Sequence, residues 1–137
     1  MIAPSRPSPA DVAARIADRN LAAPGTLGPD DLPFRLLYER GILRSGMHRH
    51  TRLVALALAS HADYVTGTIA DRDQPFLIRL ADETRLLRPQ VVVALNTLLQ
   101  RGWVKRAFRA PGLRLDYETS VLILTIPGAL LDGLREA

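Results

Sequence analysis

The chain has 137 residues, 47% of them apolar, with 18 basic and 14 acidic side chains for a net charge of +4. That length and apolar share suit one domain with a real core and a short extra element. The lack of cysteine excludes disulfides and thiolate metal sites.

The start, MIAPSRPSPADVAAR, has three prolines in nine residues and no apolar h-region, so no signal peptide is expected. Apolar runs such as Leu53–Ala59 and Val121–Leu124 are too short to span a bilayer, and a cytoplasmic, non-membrane protein is expected. Ser8 as N-cap and Pro9 at the first helical position open a helix striped by Val12, Ile16 and Leu21. Residues 23–29 (APGTLGP) form a loop.

Asp30–Arg40 reads as a second helix, with Leu32, Leu36 and Leu37 on one side and Gly41 and Gly46 flanking a linker. Thr51–Ala62 is a third, striped by Leu53, Val54, Ala57, Leu58 and His61, with alanines that let a neighbour approach closely. Tyr64–Asp73 is a loop in which Thr66, Thr68 and Ile69 offer a short strand. Phe76–Thr84 is helical, with Leu77, Leu80 and Ala81 inward. Arg85-Leu86-Leu87 is a tight turn, and Arg88–Gln100 is helical with Pro89 in its first turn and Gly102 as its stop.

The period then changes. Trp103–Arg106 and Tyr117–Ile126 read as strands joined through Pro111-Gly112, and Ala129–Leu134 as a short last helix. Two strands alone are unstable and must pack on helices. The fold class expected is mainly α with a small β wing: a winged helix-turn-helix with additional N-terminal helices. Its divisions are an N-terminal helical extension over 1–45, the winged unit over 46–127, and a tail or short helix over 128–137.

Charge placement points to a polyanion. Residues 85–114 hold seven bases and no acid, and residues 40–62 hold four arginines and no acid. On Arg88–Gln100 the buried stripe is Val91, Leu95, Leu98 and Leu99. Outside it, Arg88 and Gln90 reach base edges, with glutamine suited to adenine, and Val93 reaches a thymine methyl. Asn96 and Thr97 reach bases or phosphate, depending on docking. Arg85, Arg101, Lys105, Arg106, Arg109 and Arg114 are assigned to phosphate. Trp103 is read as a core anchor for the first strand. The uncharged Gln, Val, Asn and Thr face suits a protein partner as well.

TRLVALALASHAD (51–63), Leu80-Ala81, Val91, Leu95, Leu98 and Gly102-Trp103 together resemble the winged helix-turn-helix domains of bacterial regulators and of actinobacterial phage or plasmid proteins, over about residues 48–127. The resemblance implies double-stranded DNA binding, often by a dimer. It does not choose among repression, activation and replication control. Where such turns carry Thr-Gly-Leu, this chain has Thr84-Arg85-Leu86, so Arg85 must adopt the glycine geometry itself or the turn must differ.

No catalytic frame is present. Asp82-Glu83 are neighbours that do not converge, and His48, His50, His61 and Asp63 match no zinc spacing, so no enzyme, cofactor or metal is expected. The aromatics are scattered, which argues against a single-stranded DNA platform. A homodimer, a protein partner for residues 1–45, a protein-interaction role for the whole module, and an accessory replication or recombination role stay open.

Overall fold

A computed structural model describes residues 8–10, 22–107, 117–118 and 120–136. It is mainly helical with one small antiparallel sheet: α1 (Phe34–Arg44), α2 (Arg49–Ser60), a 3-10 turn (Asp71–Asp73), α3 (Phe76–Thr84), α4 (Arg88–Arg101), β1 (Val104–Arg106), β2 (Leu122–Leu124) and α5 (Gly128–Arg135). Pro9 and Ala10 are helical, in keeping with the Ser8-Pro9 opening; Val12, Ile16 and Leu21 lie outside the described residues. Among the described residues no helix is long and apolar enough to cross a membrane.

α1 corrects the expected Asp30–Arg40 helix by four residues at each end. Pro33 bars Leu32 from helical backbone, so the helix starts after it. Its first free N–H groups are met from outside, Phe34 by the Val65 carbonyl at 3.0 Å and Arg35 by the Tyr64 carbonyl at 3.1 Å. Gly41 is inside the helix and is not a linker. A Cβ there would lie 2.5 Å from the Trp103 ring, so the glycine is set by close packing.

The 64–69 segment is a loop with no strand. Its polar groups are already committed: Asp63 takes the Val65 and Thr66 N–H groups and the Thr66 hydroxyl, at 2.9–3.1 Å. Those bonds, the Thr66 N–H first, hold the Asp63 carboxyl below the usual aspartate range. β2 is likewise shorter than the expected Tyr117–Ile126: residues 117 and 118 form a turn, and a side chain occupies the outer edge of the strand. The Gln74 amide donates to the carbonyls of Leu122 (3.0 Å) and Ile69 (3.3 Å) and accepts from the Leu122 N–H (3.1 Å). It stands where a third strand would. Gln74 is only 5% exposed. Gln74→Ala would strand those buried groups and should cost about 2–4 kcal/mol in urea unfolding; a loss under about 0.5 kcal/mol would remove this role.

The sheet pairs Val104 with Leu124, Lys105 with Ile123 and Arg106 with Leu122. One core runs through the molecule, and it includes Leu37, Tyr38 and Ile42 of α1 and Leu131 and Leu134 of α5. The helices that the sequence set outside the 46–127 unit thus share its interior. At the centre, Trp103 meets the Tyr38 ring edge-on at 5.6 Å, and the Tyr38 hydroxyl donates to the Trp103 carbonyl at 2.9 Å. Trp103 is the anchor expected of it. Burial holds the Tyr38 phenol well above its ordinary ionisation range. Its contribution is therefore complete below about pH 10, the unfolded value, and is lost as pH rises above it. Tyr38→Phe should flatten the alkaline limb of a stability-versus-pH curve; an unchanged limb would mean Tyr38 does not set it.

α5 is tied to α1 by Arg40 donating to the Leu134 carbonyl at 2.6 Å, and to the 26–31 loop by Arg135 on Asp31 at 2.7 Å. Arg135, then the Gly28 N–H, hold the Asp31 carboxyl below its usual range.

Candidate nucleic-acid interface

α2 packs against α4. Its buried face is Thr51, Val54, Ala55, Leu58 and Ala59, rotated from the expected stripe, with Leu53 42% exposed. The alanines allow the close helix approach that larger residues would block. His61 is half-buried at the end of α2 and bonds Glu83 of α3 at 2.7 Å. Glu83 also takes Arg79 at 3.5 Å, so this carboxylate is a structural tie between α2 and α3.

α3 ends where Arg85 takes left-handed backbone, φ 60 and ψ 21. The chain thus makes the turn without glycine, at a cost of about 1 kcal/mol. Thr84 returns its hydroxyl to the Leu80 carbonyl at 2.6 Å. Leu87 is the N-cap of α4. It has no side-chain acceptor to offer, but the Gln90 carboxamide oxygen takes its N–H at 2.9 Å, which is one arm of a capping box. Gly102, at φ 83, ends the helix.

α4 buries Val91, Ala94, Leu95 and Leu98. Leu99, expected in that stripe, is half-buried and Ala94 replaces it. Arg88, Val93, Asn96, Gln100 and Arg101 are exposed, and Gln90 and Thr97 half-buried. Val93, 64% exposed, is central to this face. On one flank Gln90, Val93, Thr97 and Arg101 share a groove of about 590 Å³ with His48 and His50 at the start of α2. On the other, Asn96 accepts from the Tyr117 hydroxyl at 2.5 Å, and Arg88 lies 3.8 Å from Glu118. The Arg106 guanidinium stacks over the Tyr117 ring at 4.5 Å, and the Leu77 N–H donates to the Tyr117 carbonyl at 3.0 Å.

Of the residues assigned to phosphate, Arg85, Arg101 and Lys105 are exposed and Arg106 is half-buried against Tyr117; Arg109 and Arg114 lie outside the described residues. Thr97 returns its hydroxyl to the Val93 carbonyl at 3.1 Å. Sequence reasoning missed Tyr117 and Glu118. Nothing local marks them, since each meets α4 only through the fold. The Gln90 cap did carry a signal, a glutamine three residues after the N-cap.

No protein-family model matches this chain, and no curated protein or solved structure is detectably similar to it.

Proposed function

We propose that this protein binds double-stranded DNA as a winged helix-turn-helix module, with α3 and α4 as the two helices, the β1–β2 hairpin as the wing, and transcriptional regulation as its role. The observation that carries the reading is the exposed face of α4. It begins after the left-handed turn at Arg85, contains no acidic residue, and is flanked by Arg101 and Lys105. Such a helix enters a major groove leading end first, with phosphates held at its edges. The exposed Arg88–Glu118 pair is weak and yields readily to DNA.

The test is a titration of random duplexes at two salt concentrations, with sequencing of the retained pool. A recovered motif supports base readout. Retention without a motif, lost at higher salt, reduces the function to a basic surface. No retention at either salt ends the DNA reading.

A protein-interaction role is the second reading, favoured by Leu87, Ile78 and Val93 lying exposed on or beside the same helices.

Arg85 carries a prediction with two readouts. Arg85→Gly should raise stability by about 1 kcal/mol by relieving the left-handed backbone. The same change should weaken duplex binding severalfold and lower the salt slope by about one. Destabilisation in urea, or unchanged binding, would contradict one half or the other.

A further inference from the structure

We infer that α4 favours guanine over adenine at its two carboxamide positions, because the fold holds each carboxamide oxygen toward a protein donor and leaves the NH2 end for a ligand. The inference rests on the DNA reading above. A glutamine or asparagine recognises adenine by using both ends of its amide: the oxygen accepts from the adenine amino group and the NH2 donates to N7. Guanine offers only acceptors, N7 and O6, at that edge, so an NH2 alone serves.

Gln90 is oriented by its cap. The Leu87 N–H, at 2.9 Å, is a backbone amide and can only donate, so the carboxamide end facing it is the oxygen. The NH2 is what remains for a ligand. Asn96 is oriented by Tyr117, whose hydroxyl donates to its oxygen at 2.5 Å. Tyr117 is buried and held in place by the Leu77 N–H and the Arg106 guanidinium, so it is a positioning residue for Asn96. Asn96 too is left with its NH2.

The surrounding side chains extend the same polarity. Arg85, Arg88 and Arg101 are donors only. Thr97 is the exception: its hydroxyl proton goes to the Val93 carbonyl, so its oxygen can only accept. Val93 supplies methyl contact between the two amides. The face therefore complements an edge rich in acceptors. Adenine keeps only its N7 acceptor for these donors where guanine offers N7 and O6, and the amino groups of adenine and cytosine add nothing at the two amide positions.

The experiment is a random-duplex selection with the parent, Tyr117→Phe and Gln90→Glu, with thermal melts to show that each variant is folded. The parent should select guanine over adenine at the bases facing both amides, on the order of tenfold. Tyr117→Phe frees the Asn96 oxygen, and the preference at that base alone should fall to about twofold. Gln90→Glu still accepts from the Leu87 N–H, and a carboxylate suits the first turn of a helix. It has no donor left, so its base should change from guanine to cytosine, whose amino group a carboxylate accepts.

Adenine in the parent motif, or a Tyr117→Phe profile identical to the parent, overturns the inference and leaves DNA binding standing. Retention with no motif also overturns it. Failure to retain any duplex at low salt removes the DNA reading and this inference with it.

Discussion

Gly67→Ala is expected to remove most of the stability of the fold. Gly67 sits at φ +74, where alanine costs about 1 kcal/mol. The larger effect is steric. A Cβ built there would fall 2.0 to 2.4 Å from three atoms of the Phe34 ring. That ring is in the core and stacks on Tyr38 at 5.7 Å. The loop cannot retreat freely, because the Gly67 N–H bonds the Asp63 carbonyl at 2.8 Å and the loop carbonyls at 64 and 65 hold the start of α1. The ring must leave its site, with a loss comparable to deleting it, about 3–5 kcal/mol. Small domains hold about 5–15 kcal/mol in all. A drop of about 4–6 kcal/mol in urea is expected, and a drop below about 1 kcal/mol would show that the contact is soft. In a Phe34→Ala background the same substitution should cost only about 1 kcal/mol, since the two share one clash.

The second large effect is on binding. Val93→Glu is expected to lower duplex affinity at least about thirtyfold, while Val93→Lys keeps or raises it. One phosphate about 7 Å from the new carboxylate, at an effective dielectric near 20, is repelled by about 2 kcal/mol. Val93 is largely exposed and mid-helix, so both variants should fold within about 0.5 kcal/mol of the parent. The pair separates the two functional readings. A DNA interface distinguishes the sign of the charge. An apolar protein interface loses contact with either one. Equal loss for both variants, measured by fluorescence anisotropy on the selected duplex, would argue against DNA.

Much of the second half of the fold was legible because its signals are local. The 3.6 period and Pro89 gave α4, Gly102 gave its end, and the Thr84-Arg85-Leu86 turn posed a choice that the left-handed Arg85 answers. What was not legible depends on contacts distant in sequence. Gly41 reads as a break until Trp103 is placed against it. Gln74 reads as a loop residue until its amide is found on the edge of β2. The stripe on α2 was misplaced because the helix is apolar on more than one side, and packing chose the face of Thr51, Val54, Ala55, Leu58 and Ala59 and left Leu53 exposed. The same holds for the candidate site. Gln90 and Asn96 were recognisable as polar positions outside the buried stripe, but a residue list does not say which end of an amide is engaged. That depended on a backbone N–H three residues away and a tyrosine hydroxyl 21 residues away.

The clasp between α1 and α5 has a consequence for how the chain is made. Arg40 and the Leu134 carbonyl it holds are 94 residues apart. During synthesis Gly41 and Trp103 are made before Leu134, which packs beside them. Until then the nascent chain carries an unsealed aromatic pocket, the kind of surface that chaperones hold and that aggregates when they do not. Contacts between such distant parts of the chain slow folding, because the loop between them must close first.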